Sequence, residues 1–501
     1  MRAIVICVAF GASLLASCGE VRVAEDAGIQ GDAPGGDDSC SGASDCEEPT
    51  PHCHPDTGEC VECVDENDCE TGACDSDTHT CEGCTTNDEC ASADASLCDD
   101  STNTCVACEQ DEHCAHFGDD HLCEAGTCTE CQFEAVSTAV GHTCGLREGG
   151  SLWCWGRGSD GQLGHGDDPD EPIPEPTLVA GGGEWRSVAT GRQGTFQGPP
   201  WSCGLRDDDS LWCWGGVLNG RLANGVLEGE PVLEPTMSDD RTWRELAFGS
   251  EHACALGDDD AVYCWGMDNA GQLGQGENDE SLATPTQVDT SPNWTRIDAG
   301  ALASCGLRGD GELWCWGSNF ESKFGLGEDA DSSFDEPQQV EGDDWADVSV
   351  GGAHSCGIKQ DGTLYCWGRG TRGRLGLGED ADNPTHEPEQ VGEHSDWVAV
   401  VAGSQHTCGL RLGGSLWCWG FHNDGRLGLG DLDDDVFEPQ EVTEPQGEWL
   451  SLSLWSSNTC AIRDGGELWC WGRNDDGRLG LGETSEEPVT EPAQVECPIR
   501  D

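Results

Sequence analysis

The chain has 501 residues, 34 cysteines, and 98 acidic against 23 basic side chains, for a formal charge of −75. So large a carboxylate excess repels nucleic acid and anionic lipid at long range, which argues against both as partners. The length allows two or three domains, and the cysteine content points to an oxidising compartment.

The first residues, MRAIVICVAFGASLLASC, place one arginine ahead of an apolar run from Ala3 to Ala16. That run is a secretory h-region, too short to span a bilayer. Its end, Leu15-Ala16-Ser17-Cys18, resembles the bacterial lipobox. The resemblance implies that residues 1–17 are removed and that Cys18 carries a diacylglycerol anchor. The expected location is exported and lipid-anchored, at the bacterial outer membrane and the cell surface. Residues 18–39 are acidic and glycine-rich and read as a flexible tether.

Residues 40–131 carry cysteines in four units of the form C-x5-C-x(4–8)-C-x(4–6)-C, with no lysine or arginine and few large apolar side chains. Without a core, such modules hold together through cross-links, so a small disulfide-rich stalk is expected. Four cysteines allow three pairings, and spacing does not choose among them. The C-x2-C pairs at 60/63, 81/84, 105/108 and 128/131 have zinc-ligand spacing, but export favours disulfides. Runs such as Asp65-Glu66-Asn67-Asp68 offer oxygen ligands to calcium without forming a twelve-residue calcium loop.

From Phe133 onward one unit of about 51 residues recurs seven times. Its marker is CGLREGGSLWCWG at 144–156, repeated as CGLRDDDSLWCWG at 203–215 and, after four more copies, as CAIRDGGELWCWG at 460–472. Alternating apolar residues and glycine punctuation predict four short strands per unit. Seven four-stranded units make an all-β, seven-bladed propeller over residues 132–497. The segments WGRGSDGQLGHG (155–166), WGMDNAGQLGQG (265–276) and WGRNDDGRLGLG (471–482) resemble the signature of the regulator of chromosome condensation repeat. That family folds as a seven-bladed propeller, and the resemblance covers roughly residues 133–497.

Centring the first hairpin on Gly149 sets Cys144 opposite Cys154 and Leu146 opposite Leu152. Directly opposed residues can meet the Cα separation a disulfide needs. The predicted bridges are Cys144–Cys154, Cys203–Cys213, Cys254–Cys264, Cys305–Cys315, Cys356–Cys366, Cys408–Cys418 and Cys460–Cys470. Both sulfurs then lie on one face of each blade, with Trp153 and Trp155 on the other. Cys131 and Cys497 flank the ring by two residues on each side, so a Cys131–Cys497 bridge is expected to close the seam.

Eighteen of the 20 tryptophans keep step with the repeat; Trp201 and Trp455 do not. Trp201 follows an insertion, GRQGTFQGPPWSC, that also holds Phe196, and Trp455 replaces a glycine. Phe196, Trp201 and Trp455 are therefore the expected ligand-binding residues, as exposed aromatics on one face. His142, His252, His354 and His406 track the repeat and read as structural. The acidic loops 327–337 and 430–439 could hold calcium or simply be solvated. No metal site and no cofactor other than this calcium option are expected. Nucleophile elbow, phosphate loop and HExxH are absent, so no enzyme is expected. The leading function is a non-catalytic surface protein binding a protein or glycan, of unreadable oligomeric state. One alternative is a protein inhibitor, since a bacterial propeller of this family blocks a β-lactamase. The family's guanine nucleotide exchange role is contradicted by export and disulfides.

Overall fold

The computed structural model describes residues 132–496, apart from 168, 170, 193–197, 277–279, 292, 310 and 379–383, together with the backbone of eight short strands between 52 and 130. Cys18, Phe196, Cys131 and Cys497 lie outside the described residues. The chain divides into two units, one holding residues 132–496 and the other residues 15–131.

In the second unit, the short strands form four two-stranded antiparallel ladders. Their registers set Cys53 opposite Cys60, Cys74 opposite Cys81, Cys98 opposite Cys105 and Cys123 opposite Cys128. These are the third and fourth cysteines of each sequence unit.

The first unit is a seven-bladed propeller: seven four-stranded antiparallel sheets, each built from one contiguous stretch of chain. The blades span residues 133–178, 185–239, 243–287, 294–339, 345–390, 397–441 and 449–494. Blade 4 shows the pattern, with strands Trp294–Ala299, Ala303–Arg308, Glu312–Ser318 and Ser333–Gln339 paired in chain order. First strands line the axis, where they bond to one another across blades. The Thr138 amide donates to Ser453 Oγ at 3.0 Å and the Ala402 amide to Ser349 Oγ at 3.0 Å. Loops between strands 1 and 2 and between strands 3 and 4 emerge on one side, the loop face. Hairpins between strands 2 and 3 and the connectors between blades emerge on the other, the hairpin face.

Two glycines show why the marker sequence folds this way. A Cβ on Gly306 would meet the Trp294 ring at 2.8 Å, so the blade's first tryptophan lies flat on the second strand only because position 306 is glycine. Gly317, next to last in the third strand, sits at φ +97°, a conformation that side chains resist.

In all seven blades the two cysteines are opposed and bonded, with Cα atoms 4.0 to 4.1 Å apart. Each bridge is fully buried, and in blades 1 to 6 it shares a core with tryptophans of the first and third strands of the next blade. Cys305 and Cys315, for example, share a core with Trp345 and Trp367. The bridge therefore staples one blade and forms the apolar floor on which the next one sits.

A latch joins neighbouring blades. The Ser202 hydroxyl and the Trp214 indole of blade 2 both donate to the Gln162 carbonyl of blade 1, at 3.0 and 2.8 Å. Blades 6 and 7 repeat this with Thr459 and Trp471 on the Arg426 carbonyl, at 2.8 and 3.1 Å. At the seam, Thr143 and Trp155 of blade 1 donate to the Arg478 carbonyl of blade 7, at 2.8 and 3.0 Å. The Phe133 amide donates to the Gly466 carbonyl at 2.8 Å, matching the bond from Trp294 to Asp260 at 3.0 Å within the ring. The ring thus closes with the same bonds that join its interior blades, and among the described residues no strand is exchanged between blades 1 and 7.

Every blade also sandwiches a cation between two of its aromatic rings. Arg308 lies 4.0 Å from the Trp294 ring and 4.5 Å from Trp314. Blade 3 has Gly257 where the others carry arginine or lysine, and there Arg241, from the preceding connector, covers Trp243 and Tyr263 at 5.0 and 4.7 Å. The stack is kept although its residue has moved in sequence, so cation–aromatic attraction, not the repeat position, is what the blade conserves.

Candidate functional site

Trp201 and Trp455 are not the exposed aromatics expected from the sequence; they are 0% and 2% exposed. Trp201 occupies the register that histidine holds elsewhere, opposite Gly215 as His142 is opposite Gly156. His142 bonds Ser202 of the next blade at 2.9 Å, and His252, His354 and His406 bond Ser304, Thr407 and Thr459 in the same way. Blade 3 carries Ala253 where that hydroxyl would be, so a histidine in blade 2 would have no partner. Trp201 instead stacks on Phe248 of blade 3, centroids 4.3 Å apart. A hydrogen-bonded pair has been exchanged for an apolar one, and the insertion before Trp201 hid this register in the sequence.

The histidines are structural. In blades 2, 4, 6 and 7 the partner hydroxyl gives its proton to a carbonyl, which obliges the imidazole Nε2 to donate and leaves Nδ1 bare. Burial pushes His142 and His252 down to about 3, and pushes His354 and His406 well below the usual histidine range.

Trp455 lies at the central channel. Arg192, just beyond the first strand of blade 2, donates to the Ala299 and Val350 carbonyls at 2.9 and 3.3 Å and faces Asp298 at 3.7 Å. Its guanidinium is also 5.1 Å from the Trp455 ring. These contacts belong to blades 4, 5 and 7, so the side chain crosses the axis and plugs the channel. Below it the wall is charged on one side only. Arg296 bonds Asp347 at 2.7 Å, and Glu245 accepts from the Ile297 amide at 3.3 Å. Burial raises Glu245 to about 7, opposed by Arg296. Ser451 and Ser453 of blade 7 stand across from this group.

What the channel closes, the loop face around it opens. Among the described arginines only Arg157, Arg372 and Arg473 are exposed; Arg157 and Arg372 lie in loops between strands 3 and 4, and Arg473 lies next to the end of the third strand of blade 7, Leu468–Asn474. Arg372 stacks on Phe421 at 4.1 Å, and Arg426 covers the same ring at 4.8 Å. Arg369 pairs at 3.9 Å with Glu321, the neighbour of Phe320, whose side chain is 61% exposed. Phe320, Arg369, Arg372 and Phe421 thus form an arc over blades 4, 5 and 6. The sequence expectation missed it because it followed the two out-of-step tryptophans and the insertion that carries Phe196. The available signal was arginine or phenylalanine shortly after the Trp-Gly pair in five of the seven units. In the acidic loops the calcium option finds no support: among the described residues no three His, Cys, Asp or Glu side chains converge as a metal site.

The described residues thus make a disulfide-stapled, seven-bladed propeller with a plugged axis and an aromatic–arginine arc on one face. The RCC1-like domain model matches residues 132–456, and the RCC1 repeat model matches residues 465–500. The chain belongs to the RCC1-like family. It is 28% identical over 356 residues to the ultraviolet-B receptor UVR8 of Arabidopsis thaliana, covering 70% of this chain and 79% of that one. The mitochondrial RCC1 domain-containing protein RUG3 of the same plant is 27% identical over 66% of this chain and 79% of its own. Human E3 ubiquitin-protein ligase HERC2 is 29% identical over 59% of this chain, which spans only 6% of HERC2. Among solved structures, Prp20p of Saccharomyces cerevisiae superposes with a TM-score of 0.60 at 19% identity, over 73% of this chain and 88% of that one. Yeast RCC1 (Prp20) bound to Kap60 gives 0.59 at 20%, over 69% and 84%. These likenesses establish the fold.

Proposed function

We propose that the chain is a non-catalytic binding protein, exported and held by lipid at Cys18, that recognises a protein partner through its loop face at the cell surface. The observation that carries this reading is the arc itself. In a chain of formal charge −75, the exposed arginines stand on one face beside an exposed phenylalanine. Arginine and aromatic side chains dominate the energetic centres of protein interfaces. The seven buried disulfides support an oxidising compartment, and they speak against a nucleotide-exchange role in a reducing cytosol. UVR8 is a receptor, and Prp20p has binding properties toward Gsp1p and histones; these relatives support a binding role for this chain.

The test uses Phe320→Ala/Arg372→Ala, both exposed, with a thermal melt beside it to show that the fold is kept. Wild-type chain should retain a partner from surface extracts that the double variant loses by tenfold or more. Equal recovery on both would refute a role for this face.

A further inference from the structure

Blade 6 is flanked by two separate depressions. Toward blade 7 lies an apolar cleft walled by Val398, Leu450 and Leu412. Leu412 is 66% exposed, the most exposed large apolar side chain among the described residues. In the other units this hairpin position is Glu148, Asp207, Asp258, Gly309, Gln360 or Asp464. Toward blade 5 lies a groove of about 380 Å³, walled by the half-buried Trp417 and rimmed by Glu389, Glu393 and Glu438. All three carboxylates are exposed, and no hydrogen bond or ion pair of theirs is found among the described residues. Arg411 stands between the two depressions: it lines the cleft, covers Trp417 at 5.1 Å, and already spends its charge on Asp396 at 2.8 Å.

The repeat itself makes the groove, since one of equal volume lies between blades 3 and 4 beside Trp314. There, however, Thr286 and Thr290 stand where blade 5 has Glu389 and Glu393, and Arg308 neutralises Asp289. Blade 6 alone of the two combines an uncompensated acidic groove with a protruding leucine. Carboxylates beside a tryptophan favour a lysine or arginine over the ring. An exposed leucine over an apolar cleft favours one aliphatic side chain.

We propose that this surface docks a basic segment of a partner protein, with one aliphatic side chain in the Leu412 cleft and a lysine or arginine in the Trp417 groove. The surface is separate from the loop-face arc, and its test does not depend on that reading. The full chain is titrated at physiological salt with a labelled hexapeptide of alternating lysine and leucine, and with hexalysine as the charge control. The mixed peptide should bind at one site. Affinity should fall at least tenfold in Leu412→Ser and in Glu389→Gln/Glu393→Gln/Glu438→Gln. The same number of charges removed from the loop face, as Asp431→Asn/Asp433→Asn/Asp434→Asn, should change it less than twofold, and hexalysine should ignore Leu412→Ser. Absence of saturable binding overturns the proposal. So does equal loss in both triple variants, which would reduce the effect to general attraction by a polyanion.

Discussion

A histidine buried with one hydrogen bond and a bare second nitrogen can titrate only at the expense of the fold. The unfolded chain takes up a proton near the ordinary value of 6.5, whereas folded His142 and His252 hold out to about 3. Stability is therefore full above the unfolded value and is lost as pH falls from 6.5 toward 3. Each such residue contributes up to about 1.4 kcal/mol per pH unit within that window. Blade 7 shows the remedy, since Asn458 stands in the histidine register and donates to Thr138 Oγ1. His252→Asn/His354→Asn/His406→Asn should melt within a few degrees of wild type at pH 7.5 and clearly above it at pH 4.5. Thermal melts at the two pH values check this, and identical acid sensitivity would contradict it. Trp201 makes the matching case for an apolar substitute. Trp201→Ala removes a fully buried ring stacked on Phe248 and should cost about 3–5 kcal/mol in denaturant unfolding. An exposed contact residue would cost almost nothing.

At the scale of the element, the hairpins were legible because a β-strand has period two and the cysteines come at fixed spacing. Placing Cys144 opposite Cys154 followed from that period alone, and the seven bonded pairs have that register. The bonds that cross blades were not legible. Ser202 meets Gln162 from 40 residues away, and nothing local in either segment announces it. Arg241 replacing a missing arginine in blade 3 was hidden for the same reason: the sandwich is defined in space, not by position in the repeat. Because each disulfide also floors the next blade, removing one should cost more than its loop entropy. Cys305→Ala/Cys315→Ala should lose about 3 kcal/mol from loop closure and further stability from lost packing against Trp345. In the cysteine-rich unit, the ladder registers single out one of the three pairings that spacing left open. Peptide mapping without reduction should join Cys53 to Cys60, Cys74 to Cys81, Cys98 to Cys105 and Cys123 to Cys128. A different connectivity would show that the ladders form on another framework.

At the scale of the whole molecule, the seven-bladed ring was readable from one repeated marker, because a blade cannot bury its faces alone and must stack. The site was not. Arg192 plugs the channel through contacts with three other blades, and the arc of Phe320, Arg369, Arg372 and Phe421 exists only once blades 4 to 6 stand side by side. Departure from the repeat was a fair guide to where a residue is unusual but not to whether it is exposed, which is why Trp201 and Trp455 misled. The central claim is that the loop-face arc meets a protein partner. It is tested most directly by placing a photo-cross-linking phenylalanine analogue at Phe320 and, as a control, at Met237, which is 48% exposed on the outer strand of blade 2. Irradiation of the intact anchored protein on cells should give a discrete protein adduct from position 320 and none from 237. No adduct at either position, or the same adducts from both, would contradict the claim.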